Sequence, residues 1–200
     1  MDDVRDAYGR LAEEYAELAF SAEGMPEPDV GLVSRWAEEV SGRVVDAGCG
    51  PGHWTDFLRG RGCDVEGVDL VPRFVDMARS RFPDSSFRVG RLDELGVPDR
   101  SLGGILSWYS IIHTAPEDVP RVLGEFARCL RGGGGLVLGL VEGPRVEPFP
   151  HAVVTAYHWP VEEMSRRLAE AGFRVEATTS RVDPGKRPYA AIVARRVPEV

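Results

Sequence analysis

An acidic residue and three closely spaced glycines follow a short β-branched run early in the chain. The stretch VVDAGCGPG, residues 44–52, places Asp46 two positions before Gly48, and Gly50 and Gly52 follow at alternate positions. Glycines in such a turn adopt positive φ and let the backbone approach a ligand, and the helix after the turn points free N–H groups at it. This pattern predicts a small-molecule site, although a strand-to-helix turn without a ligand remains an alternative.

The spacing of these residues discriminates between nucleotide-like ligands. Dinucleotide sites use GxGxxG around a pyrophosphate, whereas this turn is GxGxG and His53 follows it. Asp46 at the end of a strand would repel a pyrophosphate and attract a cation. Asp69 lies 21 residues after Gly48, the interval at which a strand-end acid reaches ribose hydroxyls. A ribose and a positive charge occur together in S-adenosylmethionine.

Composition and charge restrict the class of partner. The chain has 200 residues, is 43% hydrophobic and carries a formal net charge of −8, which favours one domain with a sizeable core and argues against nucleic acid or an anionic membrane as partner. The predicted partner is therefore a small molecule, and the chain is expected to be a monomer or homodimer. No apolar run approaches membrane-spanning length, so we expect a cytoplasmic protein. The chain has an odd number of cysteines, and they are far apart in sequence, so neither disulfides nor a metal site is predicted. They are Cys49, Cys63 and Cys129.

Strand and helix patterns alternate along the chain after two amphipathic N-terminal helices. Strands are predicted at 44–47, 65–68, 87–89, 101–110, 136–140, 173–179 and 189–196, and helices from His53 and over 72–82, 116–130 and 161–173. The run of glycines at 132–135 is interpreted as a helix stop. This alternation predicts an α/β fold, a doubly wound, Rossmann-like and mostly parallel sheet with helices on both faces. Its ligand crevice should lie outside the carboxyl ends of the strands.

Five segments resemble, in order and spacing, the motifs of class I S-adenosylmethionine-dependent methyltransferases. They are VVDAGCGPG, VEGVDL, FRVGRLDEL, GGILSWYSIIH and LRGGGGLVLG, and the resemblance covers nearly the whole chain. It implies a seven-stranded sheet whose last strand runs antiparallel. Residues 1–200 then form one methyltransferase domain, with an N-terminal helical lid at 1–42 and a substrate-side insertion at 141–160.

The resemblance also implies which residues contact the cofactor. The acid and the glycine turn would line its methionine part, Asp69 would take the ribose hydroxyls, and Leu70 would pack on the adenine. Trp108 and Tyr109 would border both cofactor and substrate. The implied contacts on these elements are Asp46, Gly48, Cys49, Gly50, Gly52, Asp69, Leu70, Trp108 and Tyr109.

Two further cofactor contacts would come from the segment after the third strand and from an N-terminal helix. The family places an acidic side chain after the third strand to bind the adenine amino group, but this chain has Arg91 there, which leaves the Leu92 backbone or Asp93 for that contact. In similar enzymes an N-terminal helix closes over the cofactor, and one tyrosine touches its carboxylate. Tyr8 or Tyr15 would supply this contact, and core packing of both rings is the alternative.

On the acceptor side, His113 is the predicted general base. It lies five residues after Trp108, past the end of a central strand, and histidine accepts protons near neutral pH. The alternative is that His113 packs at the sheet edge or caps the next helix. Tyr109, His113, His151 and Tyr157 are the predicted substrate contacts, and aromatic residues in the insertion favour a planar, partly apolar acceptor.

The predicted reaction is metal-independent methyl transfer from S-adenosylmethionine to an oxygen or nitrogen of a small molecule. Two other interpretations stay open. A nicotinamide-dependent oxidoreductase would share the fold, although GxGxG with Asp46 argues against it. A non-catalytic S-adenosylmethionine-binding partner subunit would share the site. Asp46 and Asp69 could also serve as helix-capping acids rather than ligand contacts.

Overall fold

The computed structural model describes residues 4–10, 12 and 25–198. Its main sheet has seven strands in the order β3-β2-β1-β4-β5-β9-β8. The strands are β1 Val44–Ala47, β2 Val65–Asp69, β3 Ser86–Val89, β4 Leu102–Trp108, β5 Leu130–Val141, β6 Glu147–Phe149, β7 Ala156–His158, β8 Phe173–Val182 and β9 Pro188–Arg196. Neighbouring strands from β3 to β5 pair in parallel, and β9 pairs antiparallel with both β5 and β8. The predicted fold, including its antiparallel last strand, is confirmed.

Helices cover both faces of this sheet. They are α1 Glu27–Glu39, α2 His53–Gly60, α3 Pro72–Arg81, α4 Val119–Cys129 and α5 Val161–Glu170, and residues 4–10 and 12 are also helical. On β5, Leu136 and Leu138 pack with α4 and α5, whereas Val137 packs with α1 and α2. A strand buried on both faces explains why this segment is a continuous apolar run rather than an alternating one.

The order of the strands creates a switch point at β1. This strand has β2 on one side and β4 on the other, both parallel to it. The chain moves outward from β1 to β3 and then returns to form β4, so the connections after β1 and β4 leave in opposite directions. Ligands of open α/β sheets bind at such a point. The glycine turn, Asp69 and Trp108 all lie there, at the carboxyl ends of β1, β2 and β4.

The glycines at 132–135 do more than end a helix, which is the role predicted from the sequence. The helix does end at Cys129, but β5 begins at Leu130 and includes the glycines. A Cβ on Gly135 would lie 2.6 Å from Nε1 of Trp36. On the neighbouring strand β4, a Cβ on Gly103 would lie 1.8 Å from the carbonyl oxygen of Ser41. The glycines therefore let α1 and the chain after it lie directly against the sheet.

Two segments outside the main sheet also differ from the sequence pattern. The insertion at 141–160 contains a hairpin, β6 paired with β7, for which no strands are predicted. Within residues 1–42, α1 is part of the core, because Val33 and Trp36 are buried against the sheet. The lid and substrate roles of these segments remain predictions. Among the helices of the described residues, none is long and apolar enough to cross a membrane.

Candidate functional site

Two cavities open at the carboxyl ends of the strands. The smaller has a volume of about 120 Å³ and the larger about 1020 Å³. Pockets for drug-sized ligands measure roughly 300–1,000 Å³, so the smaller cavity holds only part of such a ligand. The residues lining both cavities mark their junction: Tyr8, Gly48, Gly50, Trp108 and Tyr109. A ligand in the smaller cavity can therefore extend past the glycine turn into the larger one.

The three glycines of the turn have different functions. All have positive φ, at 82°, 53° and 94° for Gly48, Gly50 and Gly52. A Cβ on Gly48 would lie 2.1 Å from Cβ of Ser110, and one on Gly52 would lie 2.8 Å from the ring of Phe87, whereas one on Gly50 would meet nothing within 4 Å. Gly50 therefore presents open backbone to the cavities. Gly52 lies outside the described lining of both cavities and is required for packing.

Asp46 is a buried carboxylate beside the larger cavity. Its Oδ2 accepts a 2.7 Å hydrogen bond from the Thr55 hydroxyl, and only 1% of the residue is exposed. Burial raises the pKa of Asp46 to about 7, and the nearby charge of Asp69 adds to this rise. Both the side chain and the backbone N–H of Thr55, in the first turn of α2, lower this pKa by hydrogen bonding, so the helix-capping interpretation of Asp46 is correct in part. A bound cation would offset the cost of its ionisation.

Asp69 connects the glycine turn to the start of α3. One carboxylate oxygen accepts a hydrogen bond from the Gly50 N–H and the other from the Val71 N–H, both at 2.8 Å. Burial raises the pKa of this carboxyl to about 6. The capping interpretation is therefore correct in part, but a carboxylate can accept about four hydrogen bonds. Asp69 lines the smaller cavity and retains capacity for ligand hydroxyls.

The smaller cavity has an apolar wall formed by residues after β2 and β3. They are Leu70, Val71, Phe74 and Leu92. The carboxylate of Asp93 instead pairs with Arg91 and Arg121, both at 2.9 Å. Neither Arg91 nor Asp93 is among the described residues that line these two cavities. Of the two adenine contacts considered from the sequence, the structure brings Leu92 to the cavity and does not bring the Asp93 side chain there.

His113 lies in a short 3₁₀ helix, Ile111–His113, after β4. Its Nδ1 is 2.9 Å from the Thr155 carbonyl oxygen, and its Nε2 is 2.8 Å from the Tyr8 hydroxyl. Because a carbonyl oxygen only accepts, Nδ1 carries the hydrogen, and the Nε2 lone pair accepts the Tyr8 O–H. Burial lowers the pKa of His113 to about 4, so the imidazole is neutral at pH 7. His113 does not cap α4, whose N-cap residue is Asp118.

The larger cavity has an aromatic wall. Ring centroids are 5.5 Å apart for Trp54 and Trp108, 5.2 Å for Trp108 and Tyr109, and 5.2 Å for Tyr109 and Tyr189. Tyr109 has a φ of 54°, a left-handed conformation that is uncommon for a bulky residue, and such strained residues cluster at active sites and ligand-binding sites. The wall offers successive π-surfaces on which a planar molecule can pack.

The other predicted site residues fall into three groups. His151 lines the larger cavity. Cys49 lines it too, but its side chain packs in a buried cluster around Phe87. Tyr157 lies on β7, packs against the core and is not among the described lining residues of either cavity. Tyr15 lies outside the described residues.

Sequence reasoning missed the far wall of the larger cavity. The turn between β8 and β9 contributes residues 183–187, and Arg181 pairs with Asp29 of α1 beside it. The motif DPGK at 183–186 is a readable turn signal. Nothing in the sequence pattern places that turn beside the glycines after β1, because the contact depends on β9 returning next to β5.

Comparison with known proteins adds independent findings. A family model described as a methyltransferase domain matches residues 44–134. A malonyl-[acyl-carrier protein] O-methyltransferase of Serratia marcescens is 30% identical over 131 residues, covering 66% of this chain and 49% of that protein. A probable S-adenosylmethionine-dependent methyltransferase of Mycolicibacterium smegmatis is 30% identical over 151 residues, covering 74% and 58%. The chain thus spans about half the length of these relatives.

A solved structure extends the similarity to the whole fold. The 1,6-didemethyltoxoflavin-N1-methyltransferase of Burkholderia thailandensis, with bound 1,6-didemethyltoxoflavin and S-adenosylhomocysteine, superposes with a TM-score of 0.82. The superposition covers 98% of this chain and 88% of the other at 19% identity. At that identity, the similarity establishes the fold.

Proposed function

Because the chain belongs to the class I S-adenosylmethionine-dependent methyltransferases, as its motifs predict, we propose that it methylates an oxygen or nitrogen of a small-molecule acceptor. The observation that carries this proposal is the pair of cavities meeting at the glycine turn. When bound, S-adenosylmethionine supplies an electrophilic methyl group. The two cavities separate a cofactor side from an acceptor side, and their junction is where that methyl group would pass.

The residues around the smaller cavity fit the cofactor. The apolar wall that includes Leu70 and Leu92 suits a purine ring, and Asp69 beside the Gly50 backbone suits ribose hydroxyls. Asp46, whose pKa is raised by burial, favours a cationic group at the junction. An isolated buried carboxylate destabilises the protein unless a positive charge accompanies it. The donor set therefore matches a ligand with a base, a ribose and a cation.

The larger cavity supports a planar acceptor. Trp108 and Tyr109 belong both to the junction and to the aromatic wall, so a ring packed on that wall would be held beside the transferred group. Displacement at a methyl carbon requires alignment of the two reactants, and orientation of this kind can lower a barrier by roughly 7–11 kcal/mol. In this proposal the chain contributes alignment and exclusion of water.

The test uses the purified chain alone. Calorimetry with S-adenosylmethionine should give binding, and the melting temperature should rise through linkage. The protein is then incubated with a metabolite extract and either ordinary or trideuteromethyl-labelled S-adenosylmethionine, and products are compared by mass spectrometry. A product carrying the labelled methyl group supports the proposal.

Two other outcomes would support the alternative functions, an oxidoreductase or a non-catalytic partner subunit. Binding of NAD without binding of S-adenosylmethionine would indicate an oxidoreductase. Cofactor binding with a labelled product only after addition of a second protein would indicate a non-catalytic partner subunit. Either result contradicts the proposal.

A further inference from the structure

Tyr8 occupies a position that His113 does not share. Tyr8 lines both cavities, whereas within the described residues His113 lines only the smaller one. The Tyr8 hydroxyl is 2.8 Å from Nε2 of His113. Tyr8 therefore lies between the larger cavity and His113.

The direction of the Tyr8 hydrogen bond is set by a main-chain group. The Thr155 carbonyl oxygen, 2.9 Å from Nδ1 of His113, accepts the Nδ1 hydrogen and leaves Nε2 as the acceptor for the Tyr8 O–H. A phenol oxygen that donates its hydrogen can also accept a hydrogen bond. The ring is held between Phe74 and His113, at centroid distances of 5.7 and 5.4 Å.

Building on the proposed function, we propose that Tyr8 is the catalytic residue that accepts the acceptor's proton, and that His113 is a positioning residue that receives the Tyr8 proton. As the acceptor's lone pair forms the bond to the methyl carbon, the carbon–sulfur bond breaks and sulfur keeps its electron pair. The O–H or N–H proton of the acceptor moves to the Tyr8 oxygen, and the phenolic proton of Tyr8 moves to Nε2. Tyr8 ends neutral, and His113 ends as an imidazolium that loses a proton to solvent after product release.

The arrangement fits this relay and differs from a direct histidine base. The only lone pair on nitrogen in neutral His113 faces Tyr8. Burial lowers the pKa of His113, which keeps the ring neutral before the step and drives the imidazolium to lose its proton after it. A competing role for Tyr8 is a contact with the carboxylate of the cofactor. That role predicts a loss of cofactor affinity when the hydroxyl is removed, whereas the relay predicts a loss of turnover.

The first experiment needs no acceptor. The full chain is labelled with ¹⁵N-histidine and saturated with S-adenosylhomocysteine, and the His113 signals are assigned by their absence from the spectrum of His113→Gln. We expect a protonated Nδ1 and an unprotonated Nε2, and in Tyr8→Phe we expect a shift of the Nε2 resonance with the same tautomer. A protonated Nε2 in the neutral wild-type ring would overturn the relay.

The second experiment measures kinetics with the acceptor recovered from the extract screen. Tyr8→Phe removes the hydroxyl and keeps the ring against Phe74. We expect kcat to fall by roughly 10²–10⁴, with the KM for the acceptor and the Kd for S-adenosylhomocysteine changed by less than about tenfold. His113→Gln should give a similar loss, and the double variant should lose no more than either single one, because the two groups act as a unit.

The outcomes separate this proposal from the proposed function. A wild type that yields no labelled product with any component of the extract overturns both. A productive wild type with undiminished kcat in Tyr8→Phe overturns the relay alone, as do additive losses in the double variant. A weakened Kd with unchanged kcat would assign Tyr8 to the cofactor. If His113→Gln does not fold, Tyr8→Phe and the tautomer of His113 still decide the question.

Discussion

Asp46→Asn should stabilise the ligand-free protein while weakening its binding of a cation. Burial raises the pKa of Asp46 from 3.8 to about 7, so between these pH values the folded chain holds a proton that the unfolded chain has lost. The free energy of unfolding therefore decreases as pH rises through this window and levels off above it. A difference of about three pKa units at 1.36 kcal/mol each corresponds to about 4 kcal/mol.

The asparagine variant should escape this loss. Its amide oxygen can still accept the hydrogen bond from Thr55, which now reaches Oδ2 of Asp46 at 2.7 Å, and it carries no charge at any pH. We expect the variant to exceed the wild type in melting temperature by about 10 °C at pH 8 and to approach it near pH 4. Urea unfolding across pH 4–8 measures the difference directly.

Binding should change in the opposite direction. An opposite charge within 4–6 Å favours an ionised group by roughly 1–3 pKa units, so losing the Asp46 charge should weaken S-adenosylmethionine by roughly tenfold or more. Adenosine, which carries neither sulfonium nor ammonium, should lose less. Asp84→Asn is the matched control, because it makes the same change at an exposed position and should alter stability by less than about 0.5 kcal/mol. Equal losses for the two ligands, or parallel stability curves for wild type and variant, would refute the reasoning.

Four further variants have expected results. Gly50→Ala should cost about 1–2 kcal/mol of stability for its positive φ and should weaken S-adenosylhomocysteine binding. Gly48→Ala should cost more, because its Cβ would lie 2.1 Å from a neighbouring side chain, and equal denaturation midpoints would contradict this. Asp93→Asn should leave S-adenosylhomocysteine affinity unchanged in calorimetry, since its carboxylate pairs with two arginines, and a tenfold loss would return Asp93 to the adenine site. Gly135→Ala should cost roughly 1–3 kcal/mol by overpacking against Trp36, and an unchanged urea midpoint would contradict that contact.

The sequence could predict the residues whose positions follow from strand ends. Parallel strands bring their carboxyl ends to one edge of the sheet, so pattern alone places Asp46 and Asp69 there, and the family resemblance adds Trp108. The structure confirms the sheet order that this argument requires. The glycine turn was identified for the same reason, although the packing role of Gly52 depends on Phe87 of another strand.

Contacts between distant elements could not be predicted in this way. Tyr8 and His113 are 105 residues apart, and Asp29 and Arg181 are 152 apart. Neither pair has a local spacing signature, since each joins elements that are far apart in sequence and meet only in the folded chain. Thr155 was missed for a second reason, because it contributes a backbone carbonyl that any residue type could supply.

The main-chain origin of that carbonyl has an evolutionary consequence. A substitution at position 155 exchanges the side chain and leaves the oxygen that holds Nδ1 of His113, so this part of the chain should tolerate changes of residue type. An insertion or deletion between Phe149 and Thr155 would move the oxygen and release the ring. Natural or directed diversification of acceptor preference could therefore proceed by substituting Phe149 and His151 on the cavity wall, provided that the length of this loop is kept.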